Sequence, residues 1–303
     1  MTPLANNGPV AVIGAGAIGL SLASALARTG RPITVCGGRT PIDHIEIAED
    51  GLPETWLVQH VTDPAELAEH TTAIVAVKAH HTPEVADWLR ALARPEVTVL
   101  VAQNGVEHRE RVLPHVGPAQ IVPSVVYLNV ERTEPGHAIL RRVGALDVAV
   151  PDGAAGAALS AELNVGGMRT ATEADFTTVA WTKLLSNITA NPLTALTGRR
   201  AEVMRDPEIE RIARRIMGEA VEVGRADGAA LTDEHVDRAI HWLQHVPEGS
   251  TTSMREDRLA GRPLEYDALT GAVVRAAERH GIDVPANRFV LALLSAIEPE
   301  VSA

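Results

Sequence analysis

A glycine-rich turn near the start of the chain restricts the fold more than any other feature. Residues 14–19 read GAGAIG; an apolar, β-branched run precedes them and an Ala/Leu-rich stretch follows. A strand, a tight turn and a helix in this order form the βα unit that binds the pyrophosphate of a dinucleotide. The alternative is a glycine-rich turn that binds no ligand.

Each glycine of this turn has an expected task. Gly14 allows the tight turn, Gly16 lets the pyrophosphate approach the backbone, and Gly19 lets the helix pack closely on the strand. The N–H groups at the start of the helix then face the phosphates. The predicted pyrophosphate-binding residues are Gly14, Ala15, Gly16, Ala17, Ile18 and Gly19.

The first half of the chain alternates short apolar runs with helical patterns. Unbroken apolar strands in a βαβα order are typical of a parallel sheet that helices cover on both faces. We therefore predict an N-terminal Rossmann domain with a doubly wound sheet. Its predicted strands are 10–13, 33–36, 56–61, 73–77, 97–102, 121–128 and 146–150.

The second half has helical periodicity almost throughout, with glycine and proline at the joints. This pattern predicts an all-α C-terminal domain. The boundary is expected near 168–174, which gives an NADP-binding domain at 1–170 and a helical domain for substrate binding and dimerisation at 171–303. The predicted helices are 175–197, 206–227, 232–246, 253–260, 264–280 and 286–297.

Charge and composition exclude several classes of function. The formal net charge is −12 and the sequence has no basic block, so binding to nucleic acid or to an anionic membrane surface is not expected. The single cysteine rules out an intrachain disulfide. Twelve histidines are present, but with no HExxH or CxxC motif we predict no metal site.

The same features predict a cytoplasmic protein. The first ten residues, MTPLANNGPV, lack the basic and apolar segments of a signal peptide, and no apolar stretch is long enough to span a bilayer. The apolar surface of the helical half allows a homodimer.

The end of the second predicted strand indicates which dinucleotide is bound. NAD-binding chains usually place a carboxylate there, for the ribose hydroxyls. Here the strand is followed by Gly37, Gly38 and Arg39, and the first acid is Asp43. Because a guanidinium pairs with a 2′-phosphate and a carboxylate repels it, NADP is favoured over NAD. The alternative is an ordinary exposed arginine.

Two further strand ends carry polar residues. Lys78 closes the apolar run VAV, and Asn104 lies in AQNGV. Ligands bind at the carboxyl ends of the strands in open α/β sheets, so both residues are candidates for cofactor contacts, and Asn104 also for substrate contacts. Asn104-Gly105 is alternatively only a turn, since Asn-Gly favours turns.

In the helical half, Lys183, Asn187 and Asn191 are spaced four residues apart. This spacing places them on one side of a helix that is otherwise apolar. A lysine ammonium stabilises negative charge on a carbonyl oxygen and donates a proton to it, and the two amides can bind a small polar substrate. The alternative is a surface lysine in a salt bridge, with asparagines that cap a helix broken near Pro192.

The segment 251–267 reads TTSMREDRLAGRPLEYD. Ser253 followed by Glu256 fits a capping box, and Glu265 with Asp267 fits the start of a helix. The functional alternative has Ser253 binding a substrate and Glu265 near the reacting centre.

Taken together, these motifs resemble the ketopantoate reductase family, the 2-dehydropantoate 2-reductases, over nearly the whole chain. The order and spacing of the motifs carry the resemblance. The matching segments are GAGAIG, Arg39, VKA at Lys78, QNG at 103–105, WTKLLSNITANPLTAL at 181–196, TSM at 252–254, Glu265 and the AxxHGIDVPxN pattern that ends at Asn287.

The resemblance implies NADPH-dependent reduction of 2-dehydropantoate to pantoate, with Lys183 as the proton donor. It implies substrate binding by Asn187, Asn191 and Ser253, positions for Lys78 and Asn104 where cofactor and substrate meet, and Glu265 near both as a further catalytic residue. Two segments depart from the family pattern: 127–136, and 198–204 with Arg199 and Arg200 in place of an asparagine. Another 2-oxo or 3-hydroxy acid as substrate, and a non-catalytic NADP-binding module, remain alternatives.

Overall fold

The computed structural model describes residues 8–297 and divides the chain into two compact units, Met1–Phe176 and Thr177–Ala303. The predicted class, a Rossmann sheet followed by an all-α domain, is confirmed. The roles assigned to 1–170 and 171–303 stay predictions. The expectation about a signal peptide concerns mainly residues 1–7, which lie outside the described residues. No helix within 8–297 is long and apolar enough to cross a membrane.

The first unit contains the strands and four helices, and the second unit is helical. In chain order the strands are β1 Val10–Ile13, β2 Ile33–Cys36, β3 His44–Glu49, β4 Leu52–Leu57, β5 Gln59–Val61, β6 Thr72–Val75, β7 Thr98–Val101, β8 Gln120–Pro123, β9 Val125–Val126, β10 Asn129–Glu134, β11 His137–Arg141, β12 Val148–Pro151 and β13 Thr170–Glu173. The helices are α1 Ala17–Arg28, α2 Ala86–Ala91, α3 His108–Val116, α4 Ala154–Val165, α5 Phe176–Thr197, α6 Pro207–Ala226, α7 Asp233–Gln244, α8 Ser253–Leu259, α9 Ala272–His280 and α10 Pro285–Ala296.

Six parallel strands form the central sheet, in the order β5-β2-β1-β6-β7-β8. Alternate residues of β1 enter two different apolar clusters. Val10 and Val12 pack with α1 and α4, whereas Ala11 and Ile13 pack with α2 and α3. Both faces of the sheet are therefore covered, and for this reason β1 is apolar at every position rather than at alternate ones.

A second sheet was not predicted from the sequence. Its strand order is β10-β11-β3-β4. Strands β3 and β4 form a hairpin through Asp50 and Gly51, whose φ angles are 50° and 80°. Positive φ at both central residues is typical of a two-residue hairpin turn. The predicted strand 56–61 was wrong, because it joined the end of β4 to β5, which lies in the central sheet.

The segment 127–136, which departs from the family pattern, contains all of β10 and the turn into β11. The β-rich segment 121–128 forms two strands, since β8 belongs to the central sheet and β9 pairs with β12 in a third, three-stranded sheet.

In the second unit the predicted helices are confirmed, with small shifts at their ends. The predicted helix 264–280 begins with a π-helical turn, Asp267–Gly271, and continues as α9. Helix α5 runs through Pro192 to Thr197, so the expected break is absent from it. Proline lacks an N–H, and the helix continues here with one fewer main-chain hydrogen bond.

A close contact fixes the rotation of α5 about its axis. Trp181 on α5 is fully buried against Gly224 on α6. A Cβ atom at Gly224 would lie 3.0 Å from the Trp181 ring and 2.8 Å from Leu231. Only glycine lets α6 approach the indole this closely, and the opposite side of α5 then carries the polar row that begins two residues later.

Candidate functional site

The glycine turn of the first unit has the geometry expected of a phosphate-binding turn. Gly14 has φ = 105°, and a Cβ atom there would lie 2.4 Å from the main-chain nitrogen of Val77. A Cβ atom at Gly19 would lie 2.1 Å from the carbonyl oxygen of Gly14. Close contacts with neighbouring protein atoms therefore explain why glycine is needed at both positions.

Gly16 is different from its two neighbours in the motif. Its φ is −82°, which any residue adopts, and within the described residues no atom beyond its two chain neighbours lies within 4 Å of the position where a Cβ would be. Gly16 also precedes α1, whose first turn contains no acidic residue. The contacts of Gly16 with the rest of the protein do not require glycine. An anion that approaches the backbone at the start of α1 would require it, because a side chain would block the approach.

The loop after β2 presents Arg39 to solvent. Gly37 and Gly38 before it have φ angles of 64° and 96°, which turn the chain sharply at the strand end. Asp43 is the first acid after the strand, and its Oδ1 is 2.6 Å from Nδ1 of His44. That hydrogen bond lowers the pKa of Asp43 and occupies its carboxylate. Arg39 is thus the exposed charged side chain closest in sequence to this strand end.

The loops after β6 and β7 are joined by a buried glutamine. Gln103 donates from Nε2 to the carbonyl oxygen of Val77 and to Oγ1 of Thr82, both at 2.9 Å. Lys78 directly follows Val77 and Asn104 directly follows Gln103, so the two predicted ligand-binding residues lie on connected loops. Because β1, β6 and β7 are neighbours in the sheet, these loops share one edge with the glycine turn.

The second unit places Lys183, Asn187 and Asn191 along one side of α5. Lys183 and Asn187 are partly buried, and Asn191 is only 7% exposed. Since α5 continues to Thr197, the asparagines do not cap its end, and the capping part of that alternative is wrong. Burial lowers the pKa of the Lys183 ammonium from its ordinary value of 10.5, because removal from water disfavours the charged form.

The lysine content itself contains a signal that the sequence reasoning missed. Of 27 basic side chains only Lys78 and Lys183 are lysines; the others are arginines. Both lysines had already been selected by their motifs. An ammonium releases its proton far more readily than a guanidinium, so a lysine in a chain that otherwise uses arginine is a candidate for proton transfer.

The capping role expected for Ser253 was wrong. The cap of α8 is Thr252, whose Oγ1 accepts a hydrogen bond from the main-chain nitrogen of Arg255 at 3.3 Å and lies 2.6 Å from Oγ1 of Thr194 on α5. Ser253 is the first residue of α8 and is exposed. The Thr194–Thr252 contact brings Ser253 to the C-terminal part of α5, and its hydroxyl is not used for capping.

Glu265 lies directly before the helical turn that leads into α9, and it is 7% exposed. A carboxylate at this depth is costly to keep charged unless it has polar partners. Arg199 and Arg200 follow α5 and are exposed, with Arg200 donating to the carbonyl oxygen of Gly249 at 2.6 Å. Arg200 thus holds the loop before α8.

Comparison with models of protein families shows to which family the chain belongs. Two family models match, "Ketopantoate reductase PanE/ApbA" over residues 10–153 and "Ketopantoate reductase PanE/ApbA C terminal" over residues 175–298. The chain belongs to the ketopantoate reductase family. The resemblance inferred from the motifs is therefore confirmed.

Similar members of the family span the chain almost completely. A 2-dehydropantoate 2-reductase from Caulobacter vibrioides is 38% identical, with 95% of this chain and 98% of the relative covered. A protein of the same name from Mycobacterium tuberculosis is 36% identical, covering 95% and 97%. The crystal structure of a ketopantoate reductase from Ralstonia eutropha JMP134 superposes with a TM-score of 0.87 at 28% identity, over 96% of this chain and 98% of that one.

One part of the family pattern has a structural role in this chain. Asn287, at the end of AxxHGIDVPxN, is fully buried and donates to the carbonyl oxygen of Ile216 at 3.1 Å and to Oε2 of Glu219 at 2.9 Å. Glu219 also accepts from the main-chain nitrogens of Ala286 and Asn287. These bonds hold the start of α10 on α6, so Asn287 stabilises the helical unit.

Proposed function

We propose that this protein catalyses the NADPH-dependent reduction of 2-dehydropantoate to pantoate. The observation that carries the proposal is Lys183, an ammonium with a lowered pKa at the start of a row of two amides on α5. Curated relatives with this named activity, 36% and 38% identical over 95% of the chain, support the choice of substrate.

The cofactor-binding part of the proposal uses residues of the first unit. The backbone around Gly16 and the start of α1 bind the pyrophosphate, and Arg39 pairs with the 2′-phosphate. Lys78 and Asn104 contact the cofactor where it meets the substrate. When bound, the reduced nicotinamide supplies a hydride to the substrate's C2.

The helical unit supplies the groups that act on the substrate. Lys183 donates a proton to the carbonyl oxygen as negative charge develops there. Asn187, Asn191 and Ser253 bind the hydroxyl and carboxylate of the acid. Glu265 completes the polar surroundings of the reacting atoms as the second catalytic residue.

The experiment is an assay of NADPH oxidation with 2-dehydropantoate beside a panel of other 2-oxo and 3-hydroxy acids, compared by kcat/KM. The proposal expects the highest value for 2-dehydropantoate. A higher kcat/KM for another acid would identify that acid as the substrate and would leave the proposed reaction type unchanged. Tight NADPH binding without turnover of any acid would instead identify a non-catalytic NADP-binding module. A homodimer and a cytoplasmic location stay predictions.

A further inference from the structure

Two histidines far apart in the sequence face each other on the four-stranded sheet. Nε2 of His44 lies 3.1 Å from Nε2 of His137, and the two rings meet edge to face with centroids 5.0 Å apart. The reaction proposed above uses neither residue. Both side chains are partly exposed, 39% for His44 and 23% for His137, so ions in solvent can reach them.

The register of the sheet brings the histidines together. Strands β3 and β11 are parallel, and His137 is aligned with Glu46. His44 lies two residues before Glu46 and so points to the same face of the sheet. Gly136 supports this register, because its carbonyl oxygen accepts from the main-chain nitrogen of Glu46 at 2.9 Å. A Cβ atom at Gly136 would lie 2.7 Å from the carbonyl oxygen of His44, so a larger residue would push the strands apart.

Carboxylates beside Nδ1 of both rings favour one tautomer of each histidine. Nδ1 of His44 is 2.6 Å from Oδ1 of Asp43, and Nδ1 of His137 is 3.4 Å from Oε1 of Glu46, with Glu134 at 3.8 Å. An ionised carboxylate only accepts hydrogen bonds, so these contacts favour the tautomer with the hydrogen on Nδ1. A neutral ring then has a lone pair on Nε2. Two lone pairs that face each other at 3.1 Å repel unless a cation lies beside both.

We propose that His44 and His137 bind a divalent transition-metal ion, Zn²⁺ in preference, through their two Nε2 atoms. Zn–N bonds of about 2.0–2.1 Å place two nitrogens of a tetrahedral site about 3.3 Å apart, close to the observed separation. A carboxylate on the second nitrogen of a ligating histidine orients the ring and increases its basicity. Imidazole is a preferred ligand of Zn²⁺, Cu²⁺ and Ni²⁺.

The remaining positions of the ion are filled by water. Among residues 8–297, no group of three or more His, Cys, Asp or Glu side chains is arranged to hold a metal ion. A metal site was not expected from the sequence, because His44 and His137 are far apart in it. The bound ion links β3 to β11 and so stabilises the sheet formed by 44–57 and 129–141.

The test is an isothermal calorimetric titration of the untagged full-length protein with Zn²⁺. The proposal expects one ion per chain in the wild type and a loss of at least about tenfold in affinity for His44→Ala and for His137→Ala. The matched control is the double variant His241→Ala/His245→Ala. His241 lies in the last turn of α7 and His245 directly follows its end, with ring centroids 4.1 Å apart and outside the proposed site. The control is expected to bind as the wild type does.

A second measurement separates loss of a ligand from loss of fold. Zn²⁺ is expected to raise the melting temperature of the wild type and of the control, reversibly with EDTA, and not to raise that of the two single variants. Asp43→Asn keeps both ligands and is expected to bind Zn²⁺ about tenfold more weakly.

Three results would overturn the proposal. The first is no binding of Zn²⁺ by the wild type, and the second is wild-type affinity for Zn²⁺ in both single variants. The third is a nitrogen-15 NMR spectrum in which one of the two rings is doubly protonated at neutral pH and stays so with Zn²⁺ present. In that case a proton between the two Nε2 atoms, rather than a metal ion, holds the rings together.

Discussion

The side-chain amide of Gln103 joins the loops after β6 and β7 by donating to the carbonyl oxygen of Val77 at 2.9 Å. The same nitrogen reaches Oγ1 of Thr82, and Oε1 accepts from Arg111 at 3.3 Å. Gln103 is 5% exposed, so water does not compete for these bonds. Its contacts set the separation of the main chain at Lys78 and at Asn104, and Gln103 is therefore a positioning residue.

Replacing Gln103 with Met should weaken both stability and the proposed activity. The variant leaves buried acceptors without their donor, which costs about 1–3 kcal/mol. A shift of about 1 Å in either loop is expected to lower kcat/KM by roughly a hundredfold. The control is Gln120→Met on β8, since Gln120 is exposed and makes a bond of 3.3 Å to Pro95. Kinetics of Gln103→Met equal to those of the control would refute the positioning role.

Two glycines of the phosphate-binding turn should respond differently to the same substitution. Gly16→Ala places its methyl group in open space, so the melting temperature is expected to change little. NADPH binding is expected to weaken at least tenfold, because that space is where we place the pyrophosphate. Gly19→Ala forces a Cβ atom to 2.1 Å from the Gly14 carbonyl oxygen and should destabilise the unit strongly.

Melting curves and NADPH titrations of the two variants decide this prediction. Tight NADPH binding by a well-folded Gly16→Ala protein would show that no ligand lies against Gly16.

Arg39→Ala should change the preference between cofactors. Removing a guanidinium that pairs with a 2′-phosphate costs about 1.5–3 kcal/mol, which corresponds to a loss of roughly 10- to 150-fold in NADPH affinity. NADH has no 2′-phosphate, so its affinity should stay nearly constant. Dissociation constants for both cofactors test this, with Arg90→Ala as a control for an exposed arginine on α2. Equal losses for NADPH and NADH would contradict the assignment.

A buried ion pair should matter far more to stability than an exposed one. Nη1 of Arg31 lies 3.1 Å from both carboxylate oxygens of Glu162, with side-chain exposures of 3% and 7%. Glu162→Gln leaves the buried guanidinium uncompensated and is expected to cost about 3–5 kcal/mol. The control is Glu54→Gln, whose partner Arg28 is 3.0 Å away but whose side chain is 54% exposed; it should cost less than about 1 kcal/mol. Denaturant unfolding of both variants measures the difference.

The central sheet could be predicted because its strands are buried on both faces, which leaves an apolar run in the sequence. Strand β4 could not be predicted in this way. Its residues LPETWL are mostly exposed, and proline at its second position argues against a strand. The turn at Asp50-Gly51 was the available signal for this hairpin.

The residues of the candidate site could be predicted where they lie on one helix, as Lys183, Asn187 and Asn191 do on α5. Contacts between distant segments were not. Thr194 and Thr252 are 58 residues apart, and the choice of Thr252 over Ser253 as the cap depends on where the backbone becomes helical. His44 and His137 are 93 residues apart and meet only through the register of β3 and β11. No spacing rule in the sequence indicates such a pair.

The last prediction concerns the proton that Lys183 is proposed to give to the substrate. Burial lowers the pKa of Lys183, so the ammonium is lost at a lower pH than in an ordinary lysine. Reduction requires the charged form, and kcat should therefore fall as the pH rises through that lowered pKa. Because the chain contains only two lysines, carbon-13 labelling of lysine gives two side-chain signals, and a pH titration followed by NMR reads the pKa directly.

The variant Lys183→Arg distinguishes a role of the positive charge from a role in proton donation. The guanidinium stays charged but does not release its proton, so kcat is expected to fall by about 10²–10⁴ while the protein remains folded. The matched control is Lys78→Arg. Lys78 is assigned to binding, where a positive charge suffices, so this variant should raise KM more than it lowers kcat. A Lys183→Arg enzyme with nearly normal kcat, or a rate that does not follow the measured pKa, would remove Lys183 as the proton donor.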